Sequence, residues 1–190
     1  MIISVYCSGS IAKRASDEKK LCWSDVERLE VAKGAAPAEV VFLNPDDPIT
    51  DPGNTLGQFG RDMYQVVVAT AAIVDARDRR GIGIGVEMSA AALFGTTIIV
   101  VAPPNSKYRA DELEYRGALV RVYVHPHVAA VADDFLSAGE LLPRLAADKA
   151  SEAHHMPDVL DEAITEYRDN VLPCDLPMLE ALQRLRPEPR

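Results

Sequence analysis

Basic side chains are in deficit: Lys and Arg number 20 against 29 Asp and Glu, which leaves a net charge of −9 at pH 7. A surface of that sign repels a phosphate backbone, so no nucleic-acid partner is expected. Cysteine is sparse as well. Cys7, Cys22 and Cys174 are odd in number and far apart, which suits neither a secreted disulfide framework nor a CxxC zinc site. No apolar run approaches the about 18 residues that a bilayer span needs, and Met1-Ile2-Ile3-Ser4-Val5-Tyr6 has no basic leader-type start. These absences predict a soluble protein of the reducing cytoplasm with no membrane partner. Aromatic residues make up only 6% of the chain, yet 48% of its 190 residues are apolar, enough for one core. The chain has no internal repeat and no low-complexity tract.

What is present is an alternation of short apolar runs with helix-patterned segments, the rhythm of a parallel sheet covered by helices on both faces. Strands are predicted over 2–7, 40–43, 71–74, 97–101 and 120–124, each short and rich in Val, Ile or Ala. A helix is predicted over 17–32, with Leu21, Val26 and Leu29 apolar in a charged setting. Another is predicted over 55–69, where Leu56, Phe59, Met63 and Val66 keep helical spacing and Asp62 is carried along. Pro45, Pro48 and Pro52 preclude regular structure between that helix and the second strand. Arg77-Asp78-Arg79-Arg80 reads as a solvated charge cluster. Gly81-Ile82-Gly83-Ile84-Gly85 then reads as a loop opening a small-residue helix that stops at Gly95. Residues 128–145 look mostly helical, 146–156 polar enough for a linker, and 158–185 like helical pieces broken at Pro173 and Pro177. The expected organisation is an α/β domain over 1–146, with a doubly wound sheet of about five parallel strands, followed by a linker and C-terminal helical tail over 147–190.

Glycines at 81, 83 and 85 let a backbone approach a bound group, and the helix that follows points free N–H groups and a positive dipole end at it. A tight strand-to-helix turn would use the same glycines. Glu87 falls in the expected first turn, where the dipole favours its ionised form and small neighbours leave room for a substrate. An ionised, accessible carboxylate can act as a nucleophile. His125, His127, His154 and His155 lack carboxylate or cysteine companions at ligand spacing, so neither a metal nor another cofactor is expected. Cys7 reads as a small buried apolar residue. Trp23 and Tyr64 suit either stacking on a base or packing.

Tyr6 with Ser8-Gly9-Ser10-Ile11, Asp62 ahead of the third strand, and Gly83-Ile84-Gly85-Val86-Glu87-Met88 followed by Ala91-Ala92 share an order and spacing. Together they resemble the nucleoside 2-deoxyribosyltransferase family, which includes the 2'-deoxynucleoside 5'-monophosphate N-hydrolases, over residues 2–125. The resemblance implies a flavodoxin-like, Rossmann-like domain that cleaves the N-glycosidic bond between base and deoxyribose and passes the sugar to another base or to water. It implies Glu87 as the nucleophile at C1', Tyr6 as the hydroxyl that orients it, and Asp62 as the carboxylate that contacts or protonates the leaving base. Ser8, Gly9, Ser10, Ile11, Gly81, Gly83 and Gly85 take substrate-binding positions by the same resemblance. A homodimer or larger homo-oligomer is implied too, with 103–109 placed to reach a neighbour's pocket and a small-molecule nucleoside or nucleotide as partner.

The chain also departs from that pattern. Gly81 stands where the transferases carry a sugar-binding aspartate and the nucleotide hydrolases a phosphate-contacting serine, and Ala12 stands where the hydrolases place an arginine. Asp75 or Asp78 is a candidate for the missing sugar ligand, and Lys13 or Arg14 for a 5'-phosphate. All of these fall near carboxyl ends of predicted strands, where such sheets bind ligands. Two alternatives remain beside this reading. The segment from Gly81 to Glu87 is also similar to the loop and glutamate of the cytokinin-activating phosphoribohydrolases, although Gly83-Ile84-Gly85-Val86 does not reproduce their GGxGT run. The other is a non-catalytic nucleotide-binding module whose acidic tail recruits a partner.

Overall fold

The computed structural model describes residues 1–10, 23–45, 53, 55–77, 82–104, 106, 108–109, 113–115, 117–120, 128–148, 165, 169–170 and 172–175. In chain order the elements are β1 (Ile2–Ser8), α1 (Asp25–Ala35), β2 (Glu39–Leu43), α2 (Thr55–Val68), β3 (Ala71–Asp75), α3 (Ile82–Leu93) and β4 (Thr97–Val101). They continue with β5 (Leu113–Tyr115), β6 (Ala118–Val120), β7 (Ala130–Ala132) and α4 (Phe135–Asp148), and Leu172–Cys174 forms a 3-10 turn. Five strands make one sheet in the order β2-β1-β3-β4-β7, and every pairing in it is parallel. This is the flavodoxin-like doubly wound order, whose reversal between β1 and β3 opens a crevice at the carboxyl ends of those strands.

Parallel strands joined by right-handed crossovers place helices on both faces, and both faces are occupied here. On one side Ile3, Val5, Cys7, Ala71, Ile73, Ile99 and Val101 pack with Val31 and Ala35 of α1 and with Ala138 and Leu142 of α4. On the other, Tyr6, Ala72, Val74, Ile98 and Val100 pack with Val66 of α2 and with Ile84, Ala90, Ala91 and Ala92 of α3. β3 lies in the middle and is buried at every residue. Helices α1 and α4 touch backbone to backbone. A Cβ at Gly34 would run into the Leu136 carbonyl oxygen, and one at Gly139 into that of Val31.

Several sequence expectations need correction. The fifth strand of the sheet is β7, not 120–124. Val120 instead closes a small antiparallel pair with Leu113, and 121–124 lie outside the described residues. β7 is only three residues long, too short for its apolar run to separate from the helix pattern that follows it. That helix begins at Phe135, where Asp134 accepts from the Ser137 backbone N–H at 2.8 Å and caps the first turn, and it reaches Asp148, into the expected linker. α1 begins at Asp25 because Ser24 is its N-cap and forms a capping box with Glu27 of the first turn. Its buried side is Val31 and Ala35, while Val26 and Leu29 are exposed. In α2 the first half of the apolar stripe also turns outward, with Leu56 79% and Phe59 52% exposed, while Met63 and Val66 pack on the core. Gly83 and Gly85 lie inside α3, which starts at Ile82, so the expected glycine loop is helix there. The remaining predicted elements over 2–7, 40–43, 55–69, 71–74 and 97–101 match to within a residue. The expected helical pieces over 158–185 fall mostly outside the described residues.

The glycine contacts make opposite predictions for one substitution. Gly139→Ala forces a methyl against the Val31 backbone and is expected to lower unfolding free energy in urea by about 1–3 kcal/mol. Gly60→Ala in α2, where an added Cβ meets nothing within 4 Å, is expected to raise it by up to about 1 kcal/mol. Equal midpoints for the two variants would contradict the close α1–α4 crossing.

Candidate active site

The pleat of β1 sets the site. Successive residues of a strand point to opposite faces, so Tyr6 and Ser8 face α2 and α3 while Val5 and Cys7 face α1 and α4. Glu87 comes to them from α3. Ile84, Glu87 and Ala91 are three and four residues apart and share one helix stripe. Ile84 and Ala91 are buried against the sheet, so Glu87 is carried inward with them and is half-buried. The Ser8 hydroxyl donates to Glu87 Oε2 at 2.5 Å. Asp62, half-buried on α2, faces the same place closely enough to repel negative charge on both Tyr6 and Glu87. The Tyr6 hydroxyl is fully buried and makes no hydrogen bond of good geometry. It still lies near enough to the Glu87 carboxylate to favour its ionised form.

Burial dominates the electrostatics. It pushes the Glu87 carboxyl above its ordinary range. Donation from Ser8 and the nearby Tyr6 hydroxyl oppose that rise, and the Asp62 charge adds to it. Sequence reasoning placed Glu87 in the first turn under the helix dipole. The structure has no acidic residue in that turn of α3, and desolvation outweighs any help from the dipole. Tyr6 is raised much further, first by burial and then by the charges of Glu87 and Asp62. It therefore stays a neutral phenol that can donate but cannot act as a base.

The other expected site residues divide. Gly9 sits at the end of β1 beneath Trp23, where a Cβ would be 2.7 Å from the indole Cδ1. Ser10 is half-buried beside it. Gly83 and Gly85 are exposed in the first turn of α3, Gly83 one turn ahead of Glu87. Asp75 is not brought to the carboxylates. Its neighbours at alternate positions, Ala71 and Ile73, belong to the α1–α4 side, and its carboxylate is taken by Arg77, with Nε to Oδ1 at 2.9 Å and Nη2 to Oδ2 at 3.0 Å. Arg77 also pairs with Glu27 at 3.1 Å and lies 4.7 Å over the Phe135 ring. It is thus a structural tie rather than part of a solvated cluster. Ile11, Lys13, Arg14, Asp78 and Gly81 lie outside the described residues, as do His125, His127, His154 and His155. Among the described residues, no cluster of three or more His, Cys, Asp or Glu forms that could hold a metal ion.

Sequence reasoning missed how Trp23 serves the site. The indole donates from Nε1 to the Ser8 carbonyl at 3.0 Å and packs edge-on against Phe135, with centroids 4.8 Å apart. Tyr64, its companion in the stacking expectation, is 69% exposed. One signal was available for Glu87: it is a charged residue on the apolar stripe Ile84, Glu87, Ala91.

The raised carboxyl has a consequence for stability. As pH climbs from the ordinary carboxylate value through the higher folded value of Glu87, the unfolded chain loses its proton first, so the folded state loses stability and then levels off. Glu87→Gln is expected to be more stable than the parent at neutral pH, with the gap closing below the ordinary carboxylate range. Urea midpoints across pH measure this, and a gap independent of pH would refute it.

No protein-family model and no curated protein matches this chain. Among solved structures, a 2-deoxyribosyltransferase from Bacillus psychrosaccharolyticus aligns at 12% identity and a TM-score of 0.46, over 72% of this chain and 90% of that one. A 2-deoxyribosyltransferase from Leishmania mexicana aligns at 14% identity and a TM-score of 0.46, over 74% of this chain and 97% of that one.

Proposed function

We propose that this protein cleaves the N-glycosidic bond of a 2'-deoxynucleoside or nucleoside 5'-monophosphate through a covalent glycosyl-Glu87 intermediate, passing the sugar to a second base or to water. The observation that carries the reading is a half-buried carboxylate on α3 held by the Ser8 hydroxyl at 2.5 Å, next to a second carboxylate on α2 and a neutral buried phenol. They stand near the β1–β3 crevice, where doubly wound sheets bind ligands. Breaking a C–N bond through an oxocarbenium-like state asks for one carboxylate at the anomeric carbon and a proton for the departing nitrogen.

The step balances with these groups. A Glu87 oxygen bonds to C1' as the C1'–N bond breaks, and its electron pair leaves on the base nitrogen, which takes a proton from Asp62 in its acid form. In the second half a water or a second base attacks C1', its proton passes to the Asp62 carboxylate, and the C1'–O bond returns its pair to Glu87. Tyr6 donates toward the carboxylate throughout and never carries charge. Burial of Glu87 favours bond formation, because a poorly solvated carboxylate loses less on giving up its charge.

The oligomer belongs to the same reading. None of the exposed residues of α2 and α3 is charged, and Leu56, Phe59, Val67, Val86 and Leu93 are among them. For a chain of net charge −9, that layer is where a second copy would pack with least repulsion. No helix among the described residues is long and apolar enough to cross a membrane.

The test is a panel of deoxy- and ribonucleosides and their 5'-monophosphates, incubated with and without an acceptor base while free base is followed by chromatography. Release without acceptor identifies a hydrolase, and release only with acceptor a transferase. Glu87→Gln is expected to lower turnover by about 10³-fold or more. Binding of these ligands with no base released from any of them would overturn the reading in favour of a non-catalytic module.

A further inference from the structure

Ser8 was expected among the substrate-binding residues, but its surroundings point elsewhere. It is 0% exposed, and its hydroxyl proton is committed to Glu87 Oε2 at 2.5 Å. A serine has one proton to give, so this one is not free for a phosphate oxygen, and full burial keeps a sugar hydroxyl from donating to it. The backbone that carries it is fixed from several directions. Ser8 is in register with Val74 of β3, and its carbonyl accepts from Trp23 Nε1 at 3.0 Å. Gly9 is pressed so close under the indole that only glycine fits. Trp23 itself is held by Phe135, on whose ring Arg77 lies. The hydroxyl is therefore presented by a rigid strand end, the arrangement that holds a reacting group to a fraction of an ångström.

We propose that Ser8 is a positioning residue for Glu87: its hydroxyl holds Oε2, so that the remaining oxygen, Oε1, is the one presented to the anomeric carbon. The bond also favours the ionised carboxylate against the burial that disfavours it. Among the described residues, the titratable or hydrogen-bonding groups facing Glu87 are Ser8 and Tyr6 from β1 and Asp62 from α2. α3 itself carries no other titratable side chain. Of these, Ser8 makes the hydrogen bond of good geometry to the carboxylate, at 2.5 Å, and the Tyr6 hydroxyl supports it without one.

The inference rests on the reading of Glu87 as nucleophile, and its test includes a readout that needs no substrate. In the full chain carrying carboxyl-13C glutamate, the Glu87 resonance is assigned by its absence in Glu87→Gln and titrated with pH in the parent, Ser8→Ala and Ser8→Cys. Removing one hydrogen bond to the ionised form is expected to weaken the acid about tenfold, moving the midpoint up by about one pH unit in Ser8→Ala. Ser8→Cys, of similar size and with a weaker donor, is expected to fall between. The acid limb of kcat/KM should move by the same amount, with kcat reduced and KM changed less than about twofold. An unmoved Glu87 midpoint overturns the proposal whatever the activity does. A rise in KM alone, with the acid limb unmoved, also overturns it and returns Ser8 to the substrate. Full turnover by Glu87→Gln beside a shifted midpoint would instead remove the nucleophile reading and, with it, the assignment of Oε1.

Discussion

The end of β1 serves both sides of the sheet at once, and the site depends on that. The pleat sends the Ser8 hydroxyl toward α3, where it meets Glu87, while the Ser8 carbonyl accepts from Trp23. Trp23 leans on Phe135 in the α1–α4 layer. Ser8 thereby joins that layer to the carboxylate through contacts on both sides of the sheet. Arg77 strengthens the link from below, joining Glu27 in the first turn of α1 to Asp75 at the end of β3. A buried aspartate with a bidentate arginine is costly to separate, since either partner alone would be left charged in a poorly solvated place. Asp75 is better understood as the anchor of that tie than as a group waiting for a sugar.

Burying Glu87 is a cost that the fold bears locally. Its carboxyl lies above the ordinary range, which means that the ionised form is held at the expense of stability. Three features limit the expense: a formed hydrogen bond from Ser8, a neutral phenol nearby, and partial rather than complete burial. Asp62 acts against them by repulsion. Burial and the Asp62 charge both push a proton onto Glu87, so the hydroxyls of Ser8 and Tyr6 are what favour its ionised form.

Much of this was legible in the chain. Short β-rich runs placed β1, β2, β3 and β4 to within a residue, because each is bounded by turn residues and is buried enough to be uniformly apolar. β7 was not legible. Its residues 130–132 are an alanine, a valine and an alanine that suit a helix equally well, and only pairing with β4 decides. The helix faces were misjudged for a related reason. In α1 and α2 Leu29, Leu56 and Phe59 point outward, while Val31, Gly34, Ala35 and Val66 make the closest contacts. Periodicity weighs size, whereas close packing here selects smallness. Tyr6, Asp62 and Glu87 were singled out together by the resemblance of their motifs to one family, and they do come together. The Ser8–Glu87 bond spans 79 residues and leaves no local trace.

Smallness also explains how an acid comes to be where it is. Ala90, Ala91 and Ala92, with Ile84, are the buried side chains by which α3 rests on the sheet, and side chains of alanine's size let a helix axis approach more closely than leucines would. Glu87 shares its stripe with Ile84 and Ala91, so the same close approach that buries the alanines brings the carboxylate down to the end of β1. At a greater separation Glu87 would reach water and lose both its contact with Ser8 and its raised pKa. A position that periodicity reserves for an apolar residue is occupied by an acid, and the strand opposite supplies the hydroxyls of Ser8 and Tyr6 that make this tolerable. The glutamate, the alanines and the serine are therefore one device distributed over two elements, and none of them has its effect without the others.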